Sequence, residues 1–365
     1  MLYRTFGKTG KDLSVIGFGG MRLENPQDID ANAELLIHAH SKGINFFDTA
    51  PGYCQDKSEE IFGTAFKHLP RESFYCSSKS SAETASQFRA DLERSLKRLN
   101  VEKIDFFHIW YIIKADEWPS RKAGGAIAEA HKAKQEGLIG HVVASLHLTG
   151  DEICEIIREG LLEGVTIGYN VLNFPFRQKA LTCAQQMGIG VITMNPLGGG
   201  LIPDNPERFD FIRQKDDPSV VEAALRFNLS HPAITCALVG FSKKEHIDHA
   251  VHAVENFTPY TKGQIEQIRT NIEEGFDDLC TQCGYCLPCP AEVEIPKLME
   301  AYNHRILGRS DQDIIDRLRW HWGLSPQDAR KCTQCGQCQE KCTQHLPIIE
   351  RLKYIANLAK RTLPA

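Results

Sequence analysis

Eight of the thirteen cysteines in this 365-residue chain fall between positions 280 and 342, in two groups of similar design. The first group is Cys280-Thr-Gln-Cys283-Gly-Tyr-Cys286-Leu-Pro-Cys289, and the second is Cys332-Thr-Gln-Cys335-Gly-Gln-Cys338-Gln-Glu-Lys-Cys342. Thiolates separated by two residues wrap three corners of one [4Fe-4S] cubane, and a fourth ligand comes from elsewhere in the chain. Cys-x2-Cys pairs also hold zinc, but zinc needs only two such pairs. Here each group has a third cysteine at the same spacing and a fourth soon after, which points to two cubanes and to the movement of single electrons. The other five, Cys54, Cys76, Cys154, Cys183 and Cys236, are scattered singly. The start of the chain has no basic-then-apolar signal pattern, so an extracellular disulfide framework does not fit.

The elements that must position these thiolates differ from those of the rest of the chain. Between the two groups lie residues that read as helical: one segment over 296–307, a second capped by Ser310 with Asp313 and ending at Trp322, and a short third opened by Ser325-Pro326. This long helical spacer is similar to the α-helical ferredoxin modules of fumarate reductase and heterodisulfide reductase. In two-cluster ferredoxins the last cysteine of each motif ligates the cluster of the other. That rule assigns Cys280, Cys283, Cys286 and Cys342 to one cluster, and Cys332, Cys335, Cys338 and Cys289 to the other. Thr343 stands where a proline usually follows the last cysteine.

Upstream, short continuous apolar runs alternate with amphipathic helices. Runs at 13–18, 44–48, 74–79, 104–110, 141–145, 165–169, 190–194 and 234–239 have the composition of parallel strands covered on both sides. The clearest helix covers 82–99, with Phe88, Leu92, Leu96 and Leu99 on one stripe and Ser80 with Glu83 as a capping box. Eight such alternations over roughly 250 residues predict an α/β fold, a (β/α)8 TIM barrel over residues 1–260. A small α-helical ferredoxin-like domain is expected over 261–365. Chemistry in such barrels gathers at the C-terminal ends of the strands. Asp48, Tyr53, Lys79, Ser145, Asn170, Asn195, Ser242 and Lys243 all fall there, and His147 lies just beyond Ser145.

The chain resembles the aldo-keto reductase family over nearly the whole barrel, and the branch fused to a C-terminal two-cluster ferredoxin module. The resemblance is carried by Tyr3-Arg4-Thr5-Phe6-Gly7-Lys8-Thr9-Gly10, by Gly17-Phe18-Gly19-Gly20-Met21-Arg22-Leu23 and by Asn45-Phe46-Phe47-Asp48-Thr49-Ala50-Pro51-Gly52-Tyr53. Ser58-Glu59, Lys79, Tyr169-Asn170 and Asn195-Pro196-Leu197-Gly198-Gly199-Gly200 add to it. It implies NADPH or NADH as hydride donor and a small carbonyl or alcohol substrate. Tyr53 then protonates the carbonyl oxygen, with Lys79 lowering the phenol pKa and Asp48 holding the ammonium. A structural Asp48–Lys79 ion pair with Tyr53 merely packing is the alternative. The family's fourth catalytic position, a histidine, falls on Trp110. His108, one layer deeper in the same strand, is one substitute candidate, either catalytic or a core histidine. The Trp110 indole N–H and His147 at the rim are others, and neither His108 nor Trp110 acting is a further alternative.

The resemblance also implies the nucleotide contacts Ser145, Asn170, Met194, Pro196, Leu197, Gly198, Ser242, Lys243 and His246. Ser242-Lys243-Lys244 at a helix start would cradle a phosphate and favour NADPH. Leu146, Thr166, His246 and the pair His249-Ala250 depart from the family pattern. Hydride chemistry moves two electrons and each cubane one, so a flavin or a redox partner protein could bridge them. A second function class follows: an electron-transfer or partner-docking subunit with a degenerate barrel. A plain carbonyl reductase braced by its clusters is a third. The formal charge of −5, with interspersed signs, gives no reason to expect nucleic acid. No apolar run is long enough for a membrane span, and a cytoplasmic chain is the expectation.

Overall fold

The computed structural model describes residues 1–359 except 216, 256, 276, 277, 281, 283, 285, 343 and 344. Among the described residues, a two-stranded hairpin, β1 (Tyr3–Thr5) and β2 (Asp12–Ser14), precedes a closed barrel of parallel strands. These are β3 (Ile16–Gly19), β4 (Phe46–Asp48), β5 (Tyr75–Ser80), β6 (Ile104–Ile112), β7 (Ile139–Leu146), β8 (Gly164–Gly168), β9 (Gly190–Met194) and β10 (Ile234–Gly240). Closure runs through β10 and β3, where Ala237 pairs with Ile16 and Val239 with Phe18. The expected first strand at 13–18 is in fact two elements. Its first residues pair back with β1 and only Ile16–Gly19 enters the barrel.

Alternation along the strands sorts the interior into layers. At the bottom, Phe46, Phe106, Val143, Ile192 and Cys236 form an apolar plug with Phe6 from the hairpin turn. The next layer up is polar: Asp48, Ser77, His108, Ser145 and Thr166 are all buried. The outer faces of the strands pack into one continuous core with the surrounding helices.

The helix expected over 82–99 begins at Ala85, and its cap is Thr84, whose side chain accepts from Gln87 N. Ser80 does not cap it. As the last residue of β5 it instead donates to Asp91 at 2.6 Å. Cys154 and Cys183, scattered singly in the sequence, are joined by a disulfide between helices Gly150–Arg158 and Phe174–Met187, with Cα atoms 5.7 Å apart.

Helix Lys262–Gly275, expected to open the second domain, packs on the barrel, where Ile268 and Ile272 join its core. The C-terminal module has a core of its own, built on helices Ile295–Ile306, Asp311–Trp322 and Ile348–Leu358. Ser310 and Asp313 form the expected capping box, and Ser325 and Asp328 form another ahead of the 3-10 turn Pro326–Lys331.

The module meets the barrel at the C-terminal ends of its strands. His321 packs against His147 beyond β7, and Arg177 lies over the Trp322 ring at 5.8 Å. Arg309 pairs with Asp204, and Asn205 donates to Leu307 O in the segment after β9. Among the described residues, no helix is long and apolar enough to cross a membrane.

Candidate active site

Asp48 ends β4, Lys79 lies near the end of β5, and parallel pairing sets these strands side by side. The Lys79 ammonium donates to Asp48 Oδ2 at 2.6 Å and to Thr49 O at 2.6 Å, and both charged side chains are almost wholly buried. Such a pair keeps its charges only because each is matched and hydrogen-bonded. Burial draws the Lys79 pKa down, and Asp48 opposes that. Above the pair sits the Tyr53 ring, whose centroid is 5.1 Å from Lys79 Nζ. Any lowering of the Tyr53 pKa by Lys79 is outweighed in these surroundings. Burial, then the Asp48 charge, pushes the phenol well above its ordinary value, so it is protonated across the neutral range.

The turn that presents Tyr53 is unusual. Gly52 has φ 80°, and Cys54, Gln55 and Asp56 follow with φ of 52°, 57° and 64°. Three consecutive side-chain-bearing residues in the left-handed region store strain that the surroundings must hold. Asp56 does this: it accepts from Gly52 N at 2.9 Å and from both terminal nitrogens of Arg98 at 2.7 and 2.6 Å. The Arg98 guanidinium holds the Asp56 carboxyl down at about 2. Neither residue was singled out from the sequence. Their pairing depends on a turn conformation that no local pattern announces.

His108 lies in the polar layer beneath the ion pair, wholly buried. Its Nδ1 is 3.1 Å from Ser77 Oγ, which donates to Asp48 Oδ1 at 2.7 Å, and its Nε2 is 2.8 Å from Thr166 Oγ1. Burial, with the Lys79 ammonium nearby, pulls its pKa to about 3. Both ring nitrogens are engaged within the barrel, so the geometry fits a core histidine bracing Asp48 through Ser77, not a proton donor at the mouth. Thr166, which departs from the family pattern, is its partner. The register of β6 shifts between Ile109 and Ile112, and half-buried Trp110 meets Tyr53 edge to face with centroids 5.7 Å apart.

The expected nucleotide contacts lie along the same rim. Ser145 is buried near the end of β7, and Met194 ends β9. Pro196, Leu197 and Gly198 form the turn after β9, with Gly198 N bonded to Asn195 O. Asn170 is engaged within this rim, donating to Asn195 O at 3.0 Å and accepting from Leu172 N. Ser242 and His246 stand 3.3 Å apart around the start of helix Lys244–Glu255, and Lys243 is exposed beside them.

In the module, the two cysteine groups fold alike. Gln282 and Gln334 hold φ of 59° and 60°, and Gly284 and Gly336 hold 81° and 85°. This repeated turn aims Gln282 N at Cys280 Sγ and Gln334 N at Cys332 Sγ, each at 3.4 Å. Amide donors on thiolate sulfur are a feature of iron–sulfur cages and tune their potentials. Cys280, Cys286 and Cys342 line one void with Met299 and Ile348. Cys289, Cys332, Cys335 and Cys338 line a second, which Cys286 also borders. Asn303 clamps the first loop by a reciprocal pair of bonds to Cys280 N and O. Cys283 lies outside the described residues. Sulfur-only donor sets, amide donors on sulfur and apolar walls all suit cubanes.

Comparison with known proteins agrees with both halves. Residues 15–273 match the model of the Aldo/keto reductase family, and residues 279–347 match that of a 4Fe-4S dicluster domain. The chain belongs to the aldo/keto reductase family and is an oxidoreductase with a C-terminal 4Fe-4S dicluster domain. It is 27% identical over 284 residues to L-galactose dehydrogenase of Arabidopsis thaliana, covering 69% of this chain and 87% of that one. With L-glyceraldehyde 3-phosphate reductase of Escherichia coli it shares 25% over 328 residues, covering 75% and 93%. The holo structure of an aldo-keto reductase from Bacillus halodurans superposes with a TM-score of 0.65 at 22% identity, over 74% of this chain and 96% of that one. At that identity the likeness concerns the fold.

Proposed function

We propose that this protein reduces a small carbonyl compound, or oxidises the matching alcohol, with NAD(P)H at Tyr53, and that its module carries two [4Fe-4S] clusters. The observation that carries the reading is the buried Asp48–Lys79 pair set against the Tyr53 ring. When bound, the nicotinamide supplies hydride to the carbonyl carbon. Tyr53 gives its phenolic proton to the oxygen, and the Lys79 ammonium stabilises the phenolate left behind until solvent returns the proton. Trp110 stands beside Tyr53 where the family has histidine, so Tyr53 is the proton donor and Trp110 shapes the pocket. His108, through Ser77, keeps Asp48 aimed at Lys79 and is a positioning residue.

Exposed Lys243 and Lys244 at a helix start support NADPH as the nucleotide. Ser145, Asn170, Met194 and the Pro196–Leu197–Gly198 turn would hold its nicotinamide end, and Ser242 and His246 its phosphate end. Cys280, Cys283, Cys286 and Cys342 would hold one cluster, and Cys289, Cys332, Cys335 and Cys338 the other.

A second reading, an electron-transfer or partner-docking subunit with an inactive barrel, draws on Trp110 at the family's histidine position and on the enclosure of His108. Anaerobic mixing of the cluster-loaded protein with NADPH and phenylglyoxal separates the two. The first reading expects nucleotide binding and turnover that Tyr53→Phe reduces by roughly 100-fold or more. Absence of binding of both NADPH and NADH overturns it in favour of the second.

A further inference from the structure

Six rings in successive contact lead from Tyr53 into the module. Centroid separations are 5.7 Å from Tyr53 to Trp110, 5.4 Å to Tyr111, 5.7 Å to His147, 4.8 Å to His321 and 4.6 Å to Trp322. The row crosses from barrel to module at His147–His321. Both imidazoles are buried there, and neither His147 Nδ1 nor His321 Nε2 has a hydrogen-bond partner among the described residues. What joins them is ring contact. Beyond the row, Trp322 Nε1 donates to Glu300 at 2.7 Å. The adjacent residue, Met299, lines the void of Cys280, Cys286 and Cys342. One helix, Ile295–Ile306, therefore separates the last ring from that cage.

We propose that this row is the route by which single electrons pass between the module and an acceptor bound beside Tyr53. The inference rests on the reading of Tyr53 as the substrate site and deepens it by naming an acceptor class. The rings are not themselves oxidised or reduced. They serve as the medium: electronic coupling between cluster and acceptor decays less steeply through atoms in packed contact than across open space. Electrons that arrive singly need an acceptor able to delocalise the first until the second arrives, so the class is a flat conjugated dicarbonyl or quinone. Half-buried Tyr53 and Trp110 at the mouth offer aromatic surface for it. When loaded and reduced, the two clusters would each supply one electron, two in all. The quinone takes both, with two protons from water through the mouth, and leaves as hydroquinone. A low-potential one-electron donor refills the clusters.

The test uses the full cluster-loaded chain, reduced anaerobically with dithionite, freed of excess and mixed rapidly with 9,10-phenanthrenequinone. Cluster absorbance and EPR signal are followed. Replacing His321 by leucine, or Tyr111 by leucine on the barrel side, should slow cluster reoxidation roughly tenfold or more, while His321→Phe, which keeps a ring, stays within about threefold of the parent. Ferricyanide, which reaches the clusters from outside, should oxidise all four proteins alike. Reoxidation by the quinone at the parental rate in both leucine variants overturns the route, as does equal slowing with ferricyanide.

The proposed function is judged separately. NADPH turnover with the clusters left oxidised should respond to Tyr53→Phe and not to His321→Leu. An unaffected Tyr53→Phe sinks that reading while the dithionite arm still decides the route.

Discussion

Arg98 and Asp56 hold three left-handed residues in the turn behind Tyr53. Releasing that turn should misplace the phenol without removing it, and small misplacements at a reacting centre lower rates by up to about 100-fold. Arg98→Met is therefore expected to lower kcat about 10- to 100-fold with little change in KM, while Arg98→Lys recovers part of it. Steady-state kinetics with NADPH and phenylglyoxal check this, and an unchanged kcat would mean that the turn holds itself.

His108 leads to a different measurement. Its folded pKa, about 3, lies below the unfolded value near 6.5, so between them the unfolded chain binds the extra proton. Its contribution to stability is complete above pH 6.5 and is lost as pH falls toward 3. His108→Gln should make the loss of stability between pH 6 and pH 5 shallower by about 1 kcal/mol per pH unit, measured by anaerobic urea unfolding. At this scale Asp48, Tyr53 and Lys79 were legible because they fall at or just beyond strand ends in a recognisable motif. The part played by His108 was not, because Ser77 and Thr166, its partners, come from strands about 30 and 60 residues away.

The barrel strands were legible as elements because parallel strands buried on both faces read as unbroken apolar runs. The hairpin was not. Its strands are three residues long, and β1 has little buried surface, so no periodicity marks them. Phe6 helps to pin the hairpin: it enters the barrel floor and meets Phe106 edge to face at 5.0 Å. Gly164 and Gly190 have no Cβ where the Phe6 ring lies, and added methyls there would collide with it. Phe6→Ala should leave a cavity and destabilise the barrel by about 3–5 kcal/mol. Gly190→Ala should also destabilise, by overpacking. Both effects should appear as lower unfolding midpoints with kcat near the parental value, since the floor lies two layers below Lys79. A large fall in kcat at full stability would contradict this layering.

For the whole molecule, the sequence disclosed both units but not how they meet. The seam joins His147 to His321 and Asp204 to Arg309, residues over 100 positions apart, and neither end carries a pattern that names the other. The cysteine spacing was more informative, because the fold interleaves the two groups. Cys342 of the second group lines the void of Cys280 and Cys286, while Cys289 of the first lines that of Cys332, Cys335 and Cys338.

This exchange makes a directional prediction. Cys342→Ser, a change in the second group, should damage the cluster of the first group, and Cys289→Ser should do the reverse. Each variant should lose up to about half its iron, with the surviving EPR signal differing between the two. Because each void is lined by cysteines of both loops, removing all iron with a chelator should loosen the module as one unit. The barrel has its own core and should stay folded, with NADPH binding retained and limited proteolysis confined to the C-terminal part. If Cys342→Ser instead spares the first cluster and damages the second, each group closes its own cage and the module is two independent halves.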